Sequence, residues 1–121
     1  MGEPTHPAPT SGGRIHAFAD DALGEHDGVA LAQLVAGGAA HPEELVAAAR
    51  ERAATVADRL GALAHAAERP RRAPNPSSEL DAVPTYAKDN VDVAGMPTNF
   101  GTAAFVAQPA RTDGPYARQF L

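Results

Sequence analysis

Lys88 closes an apolar stretch and opens a polar turn in the run Val83-Pro84-Thr85-Tyr86-Ala87-Lys88-Asp89-Asn90-Val91-Asp92-Val93-Ala94-Gly95. A lysine amine accepts a proton only where burial or neighbouring charge brings its pKa toward the working pH, and the half-buried end of a strand is a place that can do this. Composition alone would put such a lysine on the surface. Its neighbours give it a second reading, because Asp89 and Asn90 carry side chains that can bond turn amides and so direct the lysine stem. Further along, Gly95-Met96-Pro97-Thr98 reads as a turn. Phe100 and Phe105 are expected to anchor the Gly101-Thr102 loop against the core.

The wording of these two stretches, Val83-Pro84 through Lys88-Asp89-Asn90 and then Thr98 through Gly101-Thr102, resembles the amidase signature family. Members carry a V-P-x-x-x-K-D-N segment, then a glycine and a T-x-x-G-[ST] segment. The resemblance implies that Lys88 is the catalytic lysine, with Asp89, Asn90, Gly101 and Thr102 supporting it. Thr102 stands where the family more often has serine, and it keeps the hydroxyl. The implied partners of Lys88 are a relay serine held by a cis peptide bond and a nucleophilic serine, both expected beyond Leu121. The implied reaction is hydrolysis of a small linear carboxylic amide to an acid and ammonia or an amine, with no cofactor and no metal.

The same resemblance implies an α/β fold, the N-terminal part of a mixed β-sheet covered by helices, left incomplete in this chain. It is strongest over residues 83–121, moderate over 14–63, and absent from the leader and from a proline-rich loop. On this reading residues 1–13 are a flexible leader, and residues 14–121 are part of a domain cut short at its C-terminal end. The full-length protein could be a homo-oligomer. Two other readings stay open. A related subunit of the glutamine-dependent transamidosome shares the lysine segment, so the parent protein could release ammonia for transfer onto charged tRNA. The chain could also be a non-catalytic remnant or binding fragment.

Other chemistries find little support. The serines are Ser11, Ser77 and Ser78. The Ser77-Ser78 pair lies in a proline-rich stretch without flanking glycines, which offers no closely approached amides for an oxyanion. The chain is therefore expected to hold no nucleophile and to be inactive alone. There is no cysteine, which excludes disulfides, thiolate metal sites and thiol nucleophiles and fits a reducing cytoplasm. His6, His16, His26, His41 and His65 include no i,i+4 pair for zinc. Gly12-Gly13 and Gly37-Gly38 lack the frame of a phosphate loop. A net charge of −5, with basic residues clustered only at Arg69, Arg71 and Arg72, argues against nucleic acid. No apolar run approaches the roughly 20 residues of a membrane span, and the start lacks a signal-peptide pattern, so a cytoplasmic, membrane-free protein is expected.

The elements that must position Lys88 follow from local pattern. Residues 1–13 are rich in Pro, Gly, Ser and Thr, Arg14 to Phe18 form a short packed segment, and Asp20-Asp21 reads as a solvated turn. Asp27 is placed to cap a short helix through Val29, Leu31, Leu34 and Val35 that Gly37-Gly38 would end. A second helix should begin near His41, with Pro42, Glu43 and Glu44 suited to its first turn. Leu45, Ala49, Arg52, Val56, Leu60 and Leu63 lay one stripe along it, with Arg50, Glu51 and Asp58 outside. Local propensity would carry this helix to Ala67, whereas the resemblance favours a strand over 61–66, and the strand is the expectation taken.

Residues 68–81 form a proline-rich surface loop. Val83 to Ala87 reads as a strand and Val91 to Val93 as a second extended piece. Thr112 or Asp113 would cap a last helix, with Pro115 in its first turn and Tyr116, Phe120 and Leu121 facing inward. Aromatic content is only 5% and alanine dominates the apolar set, so at about 25 cal/mol per Å² the core is weak and expected to belong to something larger.

Overall fold

Asp27 starts the first helix as its residue type allows: in an extended conformation, its carboxylate accepts from the Ala30 N–H at 2.8 Å. Helix α1 runs Gly28–Ala36. At its far end the Gly38 N–H donates to Val35 O at 3.0 Å and the Ala39 N–H to Leu34 O at 2.8 Å, the paired bonds of a Schellman closure. A computed structural model describes residues 20–67, 75 and 77–120. The leader, the Arg14–Phe18 segment, most of the proline-rich loop and Leu121 lie outside the described residues.

Helix α2, Pro42–Leu60, takes His41 as N-cap, and the Glu44 side chain reaches back to accept from the His41 N–H at 3.0 Å. Gly61 stops it with φ of 56°, a left-handed conformation in which a side chain would be strained. Leu45 and Ala48 are buried on α2, as Leu31 is on α1, while Arg50, Glu51 and Asp58 are exposed. Leu60, placed in the apolar stripe by its spacing, is 70% exposed.

The Asp20-Asp21 turn does more than solvate. Arg52, which the spacing puts in the apolar stripe, forms an ion pair with Asp21: Nε at 2.5 Å from Oδ2 and Nη2 at 2.6 Å from Oδ1. The Arg52 Nη2 also donates to Gly24 O at 3.0 Å, and Asp21 Oδ1 accepts from the Leu23 and Gly24 N–H groups. The hydrogen bond from Arg52 holds the Asp21 carboxyl below its ordinary value, and the same bond raises the guanidinium of Arg52.

The segment after the proline-rich loop lies across these helices. A Cβ placed on Gly28 would meet Leu80 Cδ2 at 3.5 Å and Val83 Cγ1 at 3.8 Å. The Tyr86 hydroxyl donates to Ala49 O at 3.2 Å.

The α/β expectation is corrected here. Among the described residues the elements are three helices, α1, α2 and α3 (Pro115–Phe120), joined by turns and coil, and the β-type pairing is an isolated antiparallel bridge between Pro97 and Pro109. Residues 61–66 and 83–87, expected to be strands, and 91–93, expected to be a short extended piece, form no strand. A strand exists only through ladder bonds to a neighbour, and Pro84 removes one donor from the best candidate. Leu80 and Val83 lie beside Gly28 of α1, and Tyr86 bonds Ala49 of α2, instead. None of the helices formed by described residues is long and apolar enough to cross a membrane.

Candidate active site at Lys88

Lys88 sits on an exposed turn. Its carbonyl accepts from the Asn90 N–H at 2.7 Å and the Val91 N–H at 3.2 Å, which folds the chain sharply after the lysine. Asp89, at the corner of that turn and half-buried, bonds across to a different one. Its Oδ1 accepts from the Asn99 N–H at 2.7 Å and its Oδ2 from the Gly101 N–H at 3.1 Å. Asn99 to Thr102 is itself a turn, closed by the Thr102 N–H donating to Asn99 O at 3.1 Å. Both of its central residues have positive φ, 53° at Phe100 and 68° at Gly101, as in a type I′ turn. The Thr102 hydroxyl oxygen accepts from the Ala104 N–H at 3.1 Å.

Asp89 and Gly101, a dozen residues apart in sequence, thus meet through one carboxylate, and Thr102 closes the turn that this carboxylate holds. Asn90 contributes its backbone N–H to the lysine turn. The aromatic anchor expected for this loop is corrected: Phe100 is 65% exposed and Phe105 48%, and the Asp89 carboxylate holds the turn in their place. A charge-assisted bond to two amides fixes backbone direction more tightly than a loosely packed ring.

Two more carboxylates hold this region, and the sequence reading missed their partners. The Thr98 hydroxyl, in a residue only 9% exposed, donates to Asp92 Oδ1 at 2.8 Å. Asp113 Oδ1 accepts from the Ala94 N–H at 2.7 Å, so Asp113, expected with Thr112 as a candidate cap of the last helix, also reaches to the 92–96 turn. The Gly114 N–H donates to Asp92 O at 2.9 Å and the Gly95 N–H to Ala110 O at 2.8 Å. These bonds enclose Val93 and Ala117, which are 6% and 2% exposed. Helix α3 therefore turns Ala117 inward. Tyr116 and Phe120, expected inside, are each 49% exposed and stack on one another at 5.5 Å. Asx-type side chains in loops advertise that they will bond an amide, but not which one.

Beside this loop cluster lies an open hollow of about 470 Å³. Phe100, Phe105, Val106, Thr98, Asp92 and Arg111 are among its walls, and Lys88 is not. Ser77 and Ser78 are exposed, and Asn75 Oδ1 accepts from the Ser77 N–H at 3.1 Å. Among the described residues no group of three His, Cys, Asp or Glu side chains could hold a metal ion.

Comparison with known proteins bears on what this turn belongs to. Over 111 residues, 89% of the chain, the sequence is 40% identical to "Putative amidase AmiC" of Mycobacterium leprae. It is 43% identical over 113 residues to the protein of the same name in Mycobacterium tuberculosis H37Rv. Over 89% of its length this chain is similar to proteins named as amidases. A shorter stretch of 49 residues is 48% identical to "Putative amidase AmiA2" of Mycobacterium tuberculosis H37Rv. The chain spans 24% of the length of the AmiC relatives. No protein-family model matches it, and no solved structure does.

Proposed function

We propose that this chain contributes the lysine of a serine-dependent amide hydrolysis. The observation that carries the reading is the Asp89 carboxylate, which joins the Lys88-Asp89-Asn90 turn to the Gly101-Thr102 turn and so unites the two separated stretches of the motif in one place. In the proposed reaction the neutral Lys88 amine takes a proton through a relay serine. A second serine adds to the amide carbonyl, the amine leaves with a proton, and water then releases the acid from the acyl-enzyme. Backbone N–H groups stabilise the tetrahedral oxyanion. The substrate class is a small linear carboxylic amide, the products are an acid and ammonia or an amine, and no cofactor takes part.

Lys88 is exposed here. Enclosure is what makes a lysine a base near neutral pH, so the reading assigns that cover, and both serines, to sequence outside these 121 residues. The 121-residue chain is accordingly expected to turn over neither an aliphatic nor an aromatic amide. The decisive experiment grafts this chain in place of the matching quarter of the Mycobacterium leprae relative and measures amide hydrolysis. With the intact graft active, Lys88→Ala should lower kcat by about 10²–10⁴-fold. Full turnover in the Lys88→Ala graft would refute the assignment.

A further inference from the structure

Asp89 ties two turns together, and one of them holds a strained residue. Phe100 has φ of 53°, a left-handed conformation unfavourable to a residue with a Cβ, and the residue is 65% exposed, so burial does not hold it there. The amides on either side of it do. The Asn99 N–H and the Gly101 N–H are each taken by a separate oxygen of Asp89, at 2.7 Å and 3.1 Å. One residue before Asp89, the Lys88 carbonyl is fixed by two amides of its own turn.

Resting on the reading of Lys88 given above, we propose that Asp89 is the positioning residue of this site: its carboxylate keeps the Asn99–Thr102 turn in its positive-φ form and thereby fixes Thr102 relative to Lys88. Both oxygens are required. An asparagine at this position has one acceptor oxygen and would turn its NH₂ toward the second backbone N–H, setting donor against donor. The turn would then rest on its own Thr102 N–H to Asn99 O bond at 3.1 Å and would leave the strained form more readily. Glycine at position 100 tolerates positive φ, so Phe100→Gly should restore the turn even where the two-oxygen clasp is lost.

The test uses the 121-residue chain and amide hydrogen exchange read by NMR. In Asp89→Asn the Asn99 and Gly101 amides should exchange about tenfold faster, with α1 and α2 amides unchanged. Adding Phe100→Gly should return the Thr102 chemical shift toward its wild-type value. Unchanged exchange at Asn99 and Gly101 in Asp89→Asn would overturn the proposal, and so would failure of Phe100→Gly to restore Thr102. In the active graft, Asp89→Asn should lower kcat roughly 10-fold or more with KM little changed, and Phe100→Gly should recover part of the loss, whereas a merely structural role would lower the amount of folded enzyme without this split. If Lys88→Ala leaves turnover intact while the exchange results hold, the amidase reading of Lys88 fails and the clasp stands. The reverse outcome removes the clasp alone.

Discussion

The two ends of the described chain are ordered by different means. Residues 20–67 are built on helices whose bonds run four residues apart and whose ends are closed by Asp27, Glu44 and Gly61. Residues 88–120 contain little regular structure and are held by three carboxylates, Asp89, Asp92 and Asp113, each accepting from a group six to nineteen residues away. The helical part gains order from repetition, so losing one bond leaves its neighbours in place. In the clasped part each carboxylate ties two segments that are distant in sequence, so its loss loosens the link between them. A site that needs groups from two loops at a set distance is better served by the second arrangement.

Four perturbations can break or sharpen this contrast. The largest effect is expected from Leu45→Ala, since Leu45 is fully buried: a loss of about 2–5 kcal/mol, measured by denaturant melting followed by helical circular dichroism. The amide shifts of 99–102 should stay put while the helices still form; if they collapse with the helices, the two regions are one cooperative unit. Next comes Asp113→Ala, which leaves the Ala94 N–H without its carboxylate and should cost about 1–3 kcal/mol. Its expected signature is faster exchange at Ala94 and Gly114 with no change in the helical signal.

Asp27→Ala removes the cap of α1 and should cost about 1 kcal/mol, read as fraying of Gly28–Leu31 in amide exchange. Loss of order at the distant 99–102 turn in this variant would contradict the separation. The smallest effect belongs to pH and the Asp21–Arg52 pair. Because folding lowers the Asp21 pKa from its ordinary value of 3.8, its contribution is complete above that value and is lost as pH falls through the lower folded value. Acid titration of helix stability should show this step in the wild type and not in Asp21→Asn. Both side chains are 24% exposed, so molar salt should shrink it further.

The helices were legible because their signals are local. Asp27 before an apolar-periodic run, Pro42-Glu43-Glu44 at a helix start, and paired glycines after one are each read within a few residues. The two stretches that resemble the family are also matters of wording: Lys88, Asp89, Asn90, Gly101 and Thr102 stand out by residue type and order. What spacing concealed was the partner of each charged side chain. Arg52 lies in an apolar stripe because Asp21, thirty-one residues earlier, neutralises it there. Phe100 and Phe105 looked like anchors because large apolar residues usually are, and yet both stay exposed. The expected strands failed for a related reason: Val83–Ala87 has strand-like composition, but composition cannot provide the neighbouring strand that a ladder requires.

By itself the sequence determined where α1 begins and ends, where α2 begins, and which residues surround Lys88 in a segment that resembles the lysine segment of the amidase signature family. Those are properties of consecutive residues, decided by caps, periodicity and the conformational limits of Pro and Gly. Tertiary structure alone decided that Asp89 joins the Lys88 turn to the Gly101-Thr102 turn, that Asp113 reaches back to Ala94, and that Ala117 and not Phe120 faces inward. A carboxylate can accept from any amide that the fold brings within reach, and only the path of the whole chain selects which one arrives.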